Sequence, residues 1–285
     1  MSVQHVLINR KDKRFSFLLN QINDCPEQLY CVGNLNLLRE KDCVAVVGSR
    51  RATGYGLSQA EKISCDLARC GITIISGLAI GIDGAAHRGA LKAKGKTIAV
   101  LGTSINNFYP HTHHQLAQEI LKQKGLIISE FGPDDPFFIQ NFLLRNRIIA
   151  GLSRATIVIE AAEKSGALVT AGLALNYNRD VFALPGDVTR LNSAGTNNLI
   201  KQGAYCATQA KDILDILGIE EGRLNLVDLT QVERKVYEIV NLQKSEFDQI
   251  LKESKLHPAQ LNSTLLQLEI KGLIKSTNSG EYSKI

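Results

Sequence analysis

The chain has 285 residues, of which 44% are hydrophobic and 21% charged, and its formal net charge is +5. This length suits one sizeable domain and a smaller one, and the composition excludes fibrous and disordered classes. No apolar run reaches membrane-spanning length and charges alternate from Arg10 to Arg14, so we expect no membrane partner, no signal peptide and a cytoplasmic location.

The basic excess is unevenly placed along the chain. Eight basic and eight acidic residues cancel from Asn225 to Ile285, so the excess lies in residues 1–224. An excess of this size does not by itself predict a nucleic-acid partner, but if there is one, we expect it on the larger, N-terminal part of the chain rather than on the tail. The six cysteines form no C-x-x-C pair, which is typical of buried thiols in a reducing compartment.

Residues 1–40 predict a short N-terminal segment with one helix and then an extended stretch. From residue 41 to 217, strand and helix patterns alternate regularly. The predicted strands span 44–47, 72–76, 97–101, 126–130, 156–161, 180–184 and 204–207, and the predicted helices 57–70, 83–94, 114–124, 142–152, 167–178 and 209–217. This alternation predicts an α/β domain with a mainly parallel sheet and helices on both faces.

A linker is predicted over 218–226, where the alternation stops, and a small second domain over 227–285. Three helical patterns at 229–242, 245–254 and 258–271 lead into a hairpin, an arrangement that resembles a winged helix. Such folds often read DNA with the third helix. Here that helix carries one glutamate and one lysine, so a protein-contact or dimer role is favoured over DNA binding.

The stretch from Val44 to Gly56 organises the larger domain. Val44 to Val47 predicts a strand buried on both faces, Gly48 a tight turn, and the residues from about Leu57 a helix. Such a junction gathers backbone N–H groups and the positive end of a helix dipole into an anion cradle. Two adjacent guanidiniums, Arg50 and Arg51, strengthen the hypothesis of a phosphate site, although both could also be solvated charges on a turn.

Nucleotide cofactors are not expected at this junction. The glycines do not form the G-x-G-x-x-G fingerprint, and the next strand ends in Ser76-Gly77 rather than in an acidic residue that would hold a ribose. A Walker loop is also absent from the sequence. NAD and ATP are therefore disfavoured, and no cofactor is predicted.

The residues that follow the other strands extend the candidate site, since ligands of parallel sheets bind beyond the carboxyl ends of the strands. Phe142, followed by Arg145, Asn146 and Arg147, suits a stacked base beside neutralised phosphates, although these polar side chains could simply face solvent. The motif Lys164-Ser165-Gly166 is weak alone but falls at the same edge. Gly195-Thr196-Asn197 is more typical of a turn and a helix cap.

Acid–base and metal chemistry find little support in the sequence. Asp83 and His87 are four residues apart on a predicted helix, where a capping aspartate and a structural histidine are favoured over a catalytic pair. His111, His113 and His114 lack a companion ligand at metal-binding spacing, so no metal site is predicted.

Several of these blocks together resemble the DprA/Smf family, the DNA-processing proteins of bacterial natural transformation. They are V-G-S-R-R-A-T-G-Y-G (47–56), S-G-L-A-I-G-I-D-G-A-A-H-R-G-A-L (76–91), T-I-A-V-L-G-T (97–103), Y-P (109–110), S-E-F-G-P (129–133), N-F-L-L-R-N-R-I-I-A-G-L-S (141–153), V-I-E-A-A-E-K-S-G-A-L-V-T-A (158–171), V-F-A-L-P-G (181–186) and G-T-N-N-L-I-K-Q-G-A (195–204). The resemblance runs from about Leu29 to Ala204.

The resemblance implies an extended Rossmann-like domain that binds single-stranded DNA in a positively charged pocket, forms a homodimer and loads the recombinase RecA, with a winged-helix-like C-terminal domain. The implied DNA contacts, to which we add the pair from the Gly-Thr-Asn motif, are Gly48, Ser49, Arg50, Arg51, Phe142, Arg145, Asn146, Arg147, Lys164, Ser165, Gly166, Thr196 and Asn197.

The leading hypothesis is a non-enzymatic, sequence-independent single-stranded DNA-binding protein that acts as a recombination mediator, protecting incoming DNA and loading RecA. The alternative is a nucleotide-processing enzyme of the phosphoribohydrolase type, for which Glu130 and Glu160 are the only acid–base candidates at the strand ends. A third hypothesis is a scaffold dimer that does not bind DNA.

Overall fold

The computed structural model describes residues 4–136, 138–220, 229–240, 245–271, 273–277 and 280–284. Two compact units make up the chain, Met1–Ile219 and Glu220–Ile285. The boundary between them falls inside the predicted linker 218–226, of which residues 221–226 lie outside the described residues. Among the described helices, none is long and apolar enough to cross a membrane.

The first unit contains a nine-stranded sheet in the order β1-β2-β6-β5-β4-β3-β7-β8-β9. Strand β2 pairs antiparallel with β1 and with β6, and every other pairing is parallel. The strands are β1 (Val6–Asn9), β2 (Gln28–Gly33), β3 (Cys43–Val47), β4 (Thr73–Ser76), β5 (Thr97–Leu101), β6 (Leu126–Ser129), β7 (Ala155–Val158), β8 (Asp180–Ala183) and β9 (Tyr205–Cys206).

Helices cover both faces of this sheet, as the sequence predicts. They are α1 (Phe17–Asn20), α2 (Gly54–Arg69), α3 (Ile82–Lys92), α4 (His114–Lys122), α5 (Asn141–Gly151), α6 (Gly166–Asn176), α7 (Leu191–Lys201) and α8 (Ala210–Leu217). In β3, Val44 and Val46 pack into the core with α2, α3 and α8, whereas Ala45 and Val47 pack into the core with α5 and α6. Burial on both faces explains why the strand is an unbroken apolar run.

Two elements differ from the prediction. Strand β1 is absent from the sequence-based assignment, and together β1 and β2 add two antiparallel strands to the edge of the main sheet. Helix α7 is also unpredicted, because its sequence L-N-S-A-G-T-N-N-L-I-K is rich in residues with low helix propensity. The mainly parallel Rossmann-like architecture is nevertheless confirmed.

The strand order changes direction next to β3, and this change determines where a ligand site is expected. Strand β3 lies between β4, which follows it through α2, and β7, which follows it only after β4, β5 and β6. Ligands of open parallel sheets bind at such a switch point, outside the carboxyl ends of the two strands. The turn at Gly48 and the residues after Val158 meet there.

The second unit is a small winged helix. Helices α9 (Gln231–Ile239), α10 (Phe247–Ser254) and α11 (Pro258–Ile270) enclose a core with the three-stranded sheet β10-β12-β11, made of β10 (Ser245–Glu246), β11 (Ile274–Ser276) and β12 (Glu281–Lys284). The predicted end of the first of these helices, residues 241–242, lies outside the described residues. Helix α11 exposes Leu266 and Ile270, which are 56% and 72% accessible, and its sequence contains no lysine or arginine.

Candidate nucleic-acid interface

A cleft of about 830 Å³ opens at the carboxyl ends of β3 and β7. Its walls are the turn after β3, the loop after β4, the first turns of α5, the first turns of α6 and the start of α7. These are the segments that the strand-end rule brings together. The structure therefore assembles most of the predicted site residues around one opening.

The turn after β3 presents two exposed arginines to this cleft. A side chain at Gly48 would come within 2.6 Å of Ile82 and within 2.9 Å of the Glu160 carbonyl oxygen, so the turn requires glycine there. The Ser49 N–H donates to that same carbonyl oxygen at 2.7 Å. Arg50 and Arg51 are exposed and line the cleft, and the Arg50 guanidinium lies 4.9 Å from the centre of the Phe142 ring.

The start of α2 is not the anion cradle that the sequence suggests. The Glu160 carboxylate occupies it, accepting the Thr53 N–H at 2.9 Å and the Thr53 hydroxyl at 2.6 Å. The Thr53 hydroxyl oxygen in turn caps the helix by accepting the Gly56 N–H at 3.1 Å. An anion supplied by the protein itself thus fills the positive end of this helix dipole, which corrects that part of the prediction.

The start of α6, in contrast, faces the cleft. Ser165 caps the helix by accepting the Ala167 N–H at 3.3 Å, and Ser165, Gly166 and Ala167 all line the opening. The side-chain amide of Asn146 donates to the Gly166 carbonyl at 3.3 Å and so joins α5 to α6. Lys164 is exposed and precedes this helix, but it lies outside the cleft lining. The backbone N–H groups and dipole of α6 favour an anion in the cleft.

Arg145 lies in the floor of the cleft and is only 4% exposed. Its Nη1 donates to the Gly77 carbonyl at 2.6 Å and to the Val100 carbonyl, so one guanidinium joins the ends of β4 and β5. Asp83 accepts the Gly77 N–H at 3.1 Å beside it. Burial lowers the pKa of Arg145 to about 10, and the negative charge of Asp83 acts against this shift. Burial raises the pKa of Asp83, and the positive charge of Arg145 acts against that shift.

Nη1 and Nε of Arg145 are therefore hydrogen-bonded within the protein, to the two carbonyls and to the Asn146 side chain. The residue holds the loop after β4 in place and contributes positive charge beneath the cleft. Its role as a DNA contact stays a prediction.

Arg147 does not line the cleft. Its Nη2 donates to both carboxylate oxygens of Glu130, at 2.6 and 2.7 Å, and the ion pair is largely shielded from solvent. Side chains two positions apart on a helix point in different directions, so α5 cannot present Arg145 and Arg147 to one ligand in the same way. Of the four arginines predicted to contact DNA, Arg50 and Arg51 lie at the mouth of the cleft and Arg145 lies in its floor. Arg147 lies outside the cleft lining.

Thr196 and Asn197 support the site from outside it. The Thr196 hydroxyl donates to the Ser193 carbonyl at 3.1 Å inside α7. The Asn197 side chain accepts the Gly186 N–H at 3.1 Å and donates to the Gly186 carbonyl at 2.9 Å. Asn197 therefore holds α7 against the loop after β8, Thr196 is bonded within the helix, and neither side chain lines the cleft.

Sequence reasoning missed several residues of this opening. Asn192 and Leu191 reach it from the start of α7, and the Asn192 side chain donates to the Arg51 carbonyl at 2.9 Å. Tyr109 lies beside the opening rather than in its lining, in a small neighbouring pocket that shares Arg50 and Phe142, and its ring is 5.6 Å from that of Phe142, centre to centre. The Tyr-Pro pair at 109–110 was the available signal for the latter, whereas α7 gave none.

The candidate acid–base and metal groups have structural partners. The His87 Nδ1 lies 2.8 Å from the Thr97 hydroxyl, which itself donates to the Ile74 carbonyl, so His87 donates. The His113 Nδ1 donates to the Leu78 carbonyl at 2.9 Å. Burial lowers the pKa of His87 to about 3. Within the described ranges, no three His, Cys, Asp or Glu side chains are grouped as metal ligands.

The cleft thus combines two exposed guanidiniums, a helix start and an aromatic ring, and Asp83 is the one carboxylate among its described lining residues. Guanidiniums and helix N–H groups bind phosphate, and the aromatic face suits a base. The arrangement can hold a phosphodiester with an unstacked base beside it.

Comparisons with known proteins agree with this chemistry. Residues 6–218 match the family model of DNA recombination-mediator protein A, and residues 224–280 match the DprA winged helix domain. Protein Smf of Escherichia coli is 45% identical over 213 residues, which cover 75% of this chain and 57% of the relative. The chain thus spans less than two thirds of that relative's length.

Two solved structures share the fold. DNA processing protein A of Streptococcus pneumoniae has a TM-score of 0.70 and 40% identity, with 75% of each chain covered. DNA processing protein A of Helicobacter pylori, which has a unique single-stranded DNA binding mode, has a TM-score of 0.67 and 32% identity over 76% of this chain and 98% of that one. Because the first family model matches well over half of the sequence, the chain belongs to the DNA recombination-mediator protein A family.

Proposed function

We propose that this protein binds single-stranded DNA in the cleft at the β3–β7 switch point, without sequence preference. The observation that carries the proposal is the pair Arg50 and Arg51 at the cleft mouth, with the Arg50 guanidinium over the Phe142 ring. The helix start at Ser165 and Gly166 forms the opposite wall. The single-stranded DNA binding mode of the Helicobacter pylori relative supports the same assignment.

In this proposal each wall of the cleft contacts a different part of the DNA. Arg50 and Arg51 neutralise phosphates, the N–H groups at the start of α6 bind a phosphate oxygen, and Lys164 adds charge beside that helix start. Phe142, next to Tyr109, offers a face on which a base stacks. Duplex DNA keeps its bases stacked inside the helix, so it cannot use this ring.

We further propose that the protein is a recombination mediator in the cytoplasm, which protects incoming single strands during natural transformation and loads RecA onto them. Family membership supports this role. A homodimer belongs to the same proposal. The short edge strand β9 carries the exposed Tyr205, and Leu175 is exposed on α6, so this end of the sheet offers an apolar surface for self-association.

The proposed role is non-enzymatic. Glu130 is paired with Arg147, and Glu160 is bound to Thr53 at the start of α2. Neither carboxylate lines the cleft, so the geometry gives the phosphoribohydrolase alternative no acid–base pair beside the bound nucleotide. Incubation with nucleoside monophosphates tests this directly, and release of free base would contradict the proposal.

The binding test compares Arg50→Ala/Arg51→Ala with the wild-type chain by fluorescence anisotropy of labelled single-stranded and duplex oligonucleotides. We expect the double variant to lose affinity about 10-fold or more for all single-stranded sequences alike, because two charge-assisted phosphate contacts disappear. Arg88→Ala/Lys122→Ala is the matched control, since it removes the same charge from exposed positions outside the cleft lining. Full-strength binding by the Arg50/Arg51 variant would show that the site is elsewhere.

The mediator role needs its own assay. We expect the wild-type protein to accelerate assembly of RecA filaments on single strands covered by single-strand-binding protein, and the Arg50→Ala/Arg51→Ala variant to fail. A protein that binds single strands but leaves filament assembly unchanged would retain the binding assignment and contradict the mediator role.

A further inference from the structure

The start of α2 is filled by an acidic side chain from another part of the chain. Glu160 lies two residues beyond the end of β7, is only 5% exposed, and receives hydrogen bonds from the Thr53 N–H and the Thr53 hydroxyl at 2.9 and 2.6 Å. The first turn of α2 contains no acidic residue of its own. Glu160 is thus the anion that balances the dipole of a 16-residue helix.

The neighbouring backbone is shaped to admit this carboxylate. A Cβ atom at Gly56 would overlap the Glu160 carboxylate, so a side chain at this point of the first turn would displace it. The Glu160 carbonyl oxygen also accepts the Ser49 N–H at 2.7 Å. One residue therefore binds both the turn after β3 and the helix that follows it, through its backbone and its side chain respectively.

The same position is the phosphate site of dinucleotide-binding doubly wound folds. There, a glycine turn after the first central strand leads into a helix whose N-terminus binds the pyrophosphate. In this chain the turn at Gly48 and the start of α2 have that topology, but a carboxylate already takes the place of the phosphate. A phosphate group that approached Thr53 would meet a negative charge in an occupied space.

We propose that Glu160 is a specificity-determining residue. It closes the start of α2, the position at which dinucleotide-binding folds hold phosphate, to mononucleotides and inorganic phosphate. Anion binding is thereby restricted to the cleft lined by Arg50, Arg51 and the start of α6. The inference concerns free nucleotides and does not depend on the proposed DNA binding. Its consequence is that nucleoside phosphates at cellular concentrations do not occupy the start of α2 at Thr53 and Gly56.

The test titrates inorganic phosphate and AMP, without DNA, into the full-length wild-type chain, Glu160→Ala and Glu163→Ala. Glu163 is an exposed carboxylate three residues further along, so Glu163→Ala is the matched control for charge and for the general stabilising effect of phosphate. The readouts are the midpoint of thermal unfolding and the amide resonances of Thr53 and Gly56.

We expect only Glu160→Ala to gain a site. At phosphate ten times above the new Kd, its unfolding midpoint should rise by about 3 °C more than that of the control, with shifts of the Thr53 and Gly56 amides. Glu160→Gln keeps the shape without the charge and should show a smaller rise of the same sign, which keeps the test valid if Glu160→Ala does not fold. The inference would be overturned if neither Glu160 variant gained a phosphate site. It would also be overturned if phosphate shifted the Thr53 amide of the wild-type chain as much as that of Glu160→Ala.

Discussion

Arginines that are close in sequence have different roles in this protein. Arg50 and Arg51 are exposed at the cleft, Arg145 is buried and bound to two carbonyls, and Arg147 is paired with Glu130. Guanidiniums cannot lose their charge at ordinary pH, so a buried one must be surrounded by acceptors. What an arginine contributes to a site therefore depends on which acceptors the fold places around it.

Removal of Arg145 should damage stability before it affects binding. Arg145→Ala leaves the Gly77 and Val100 carbonyls without their donor and removes the positive charge beside the buried Asp83, so we expect the free energy of unfolding to fall by about 3–5 kcal/mol. Arg145→Lys should recover less than half of that loss, because an ammonium group has no planar fork that can serve the two carbonyls, bound by Nη1, and the Asn146 side-chain oxygen, bound by Nε, at the same time. Urea unfolding measures both variants. A stable Arg145→Ala protein that binds single strands weakly would instead indicate a direct phosphate contact.

His87 should make the protein sensitive to mild acid. Its folded-state pKa is about 3, against about 6.5 in an unfolded chain, because burial disfavours the charged ring. Below about pH 6.5 the unfolded chain binds a proton that the folded one does not, so this contribution to stability falls by about 1.4 kcal/mol per pH unit as the pH decreases.

Urea unfolding at pH 7 and pH 5 of the wild-type chain and of His87→Leu checks this expectation. The variant should lose less stability between the two pH values than the wild type, although it is less stable at pH 7. His111→Leu, at an exposed position, is the matched control. Identical pH dependence in all three proteins would contradict the assignment.

At the scale of single elements, the sequence predicts those strands and helices that have a clear pattern of apolar residues. The central strands are continuous apolar runs closed by turns, and β5 spans the predicted residues. Helix α7 could not be predicted, because it is stabilised by packing rather than propensity: Gly195 lies against the backbone of Ala161 and Ala162. The sequence does not show where each side chain points, so it cannot separate Arg145 from Arg147 or show that Glu160 is bound to Thr53.

Two helical glycines should respond oppositely to substitution by alanine. In α6, Gly172 has open space where a Cβ atom would lie, so Gly172→Ala should raise the free energy of unfolding by about 0.5–1 kcal/mol. In α7, a Cβ on Gly195 would come within 2.7 Å of the Ala161 carbonyl oxygen, so Gly195→Ala should lower it by about 1–3 kcal/mol. Urea unfolding measures both. A stabilised Gly195→Ala would show that α7 is loosely packed.

At the scale of the whole molecule, the net positive charge lies in residues 1–224, the part of the chain that forms the cleft. The part from Asn225 to Ile285 is neutral, and α11 exposes Leu266 and Ile270 without a cation. The sequence-based preference for a protein contact over DNA at this helix stays a prediction that these exposed side chains support. DNA affinity should therefore come from the first unit.

Salt dependence is the measurable consequence. With two exposed arginines in contact with phosphate, log K for an oligonucleotide of about 10 nucleotides should fall with log salt at a slope of about −1.4, or about −2 if Lys164 also contributes. Arg50→Ala/Arg51→Ala should bring the slope close to zero if Lys164 makes no phosphate contact, or to about −0.7 if it makes one. A slope unchanged by the double substitution would place the phosphate contacts on other cations.

The bond network of Arg145 also has a consequence for how the chain folds. Helix α5 belongs to the connection from β6 to β7, and its guanidinium binds carbonyls at the ends of β4 and β5. Both strands must be in register before those two acceptors lie side by side. We therefore expect this crossover to dock late, after sheet assembly, so that the opening lined by α5 reaches its final shape only once the parallel strands have paired.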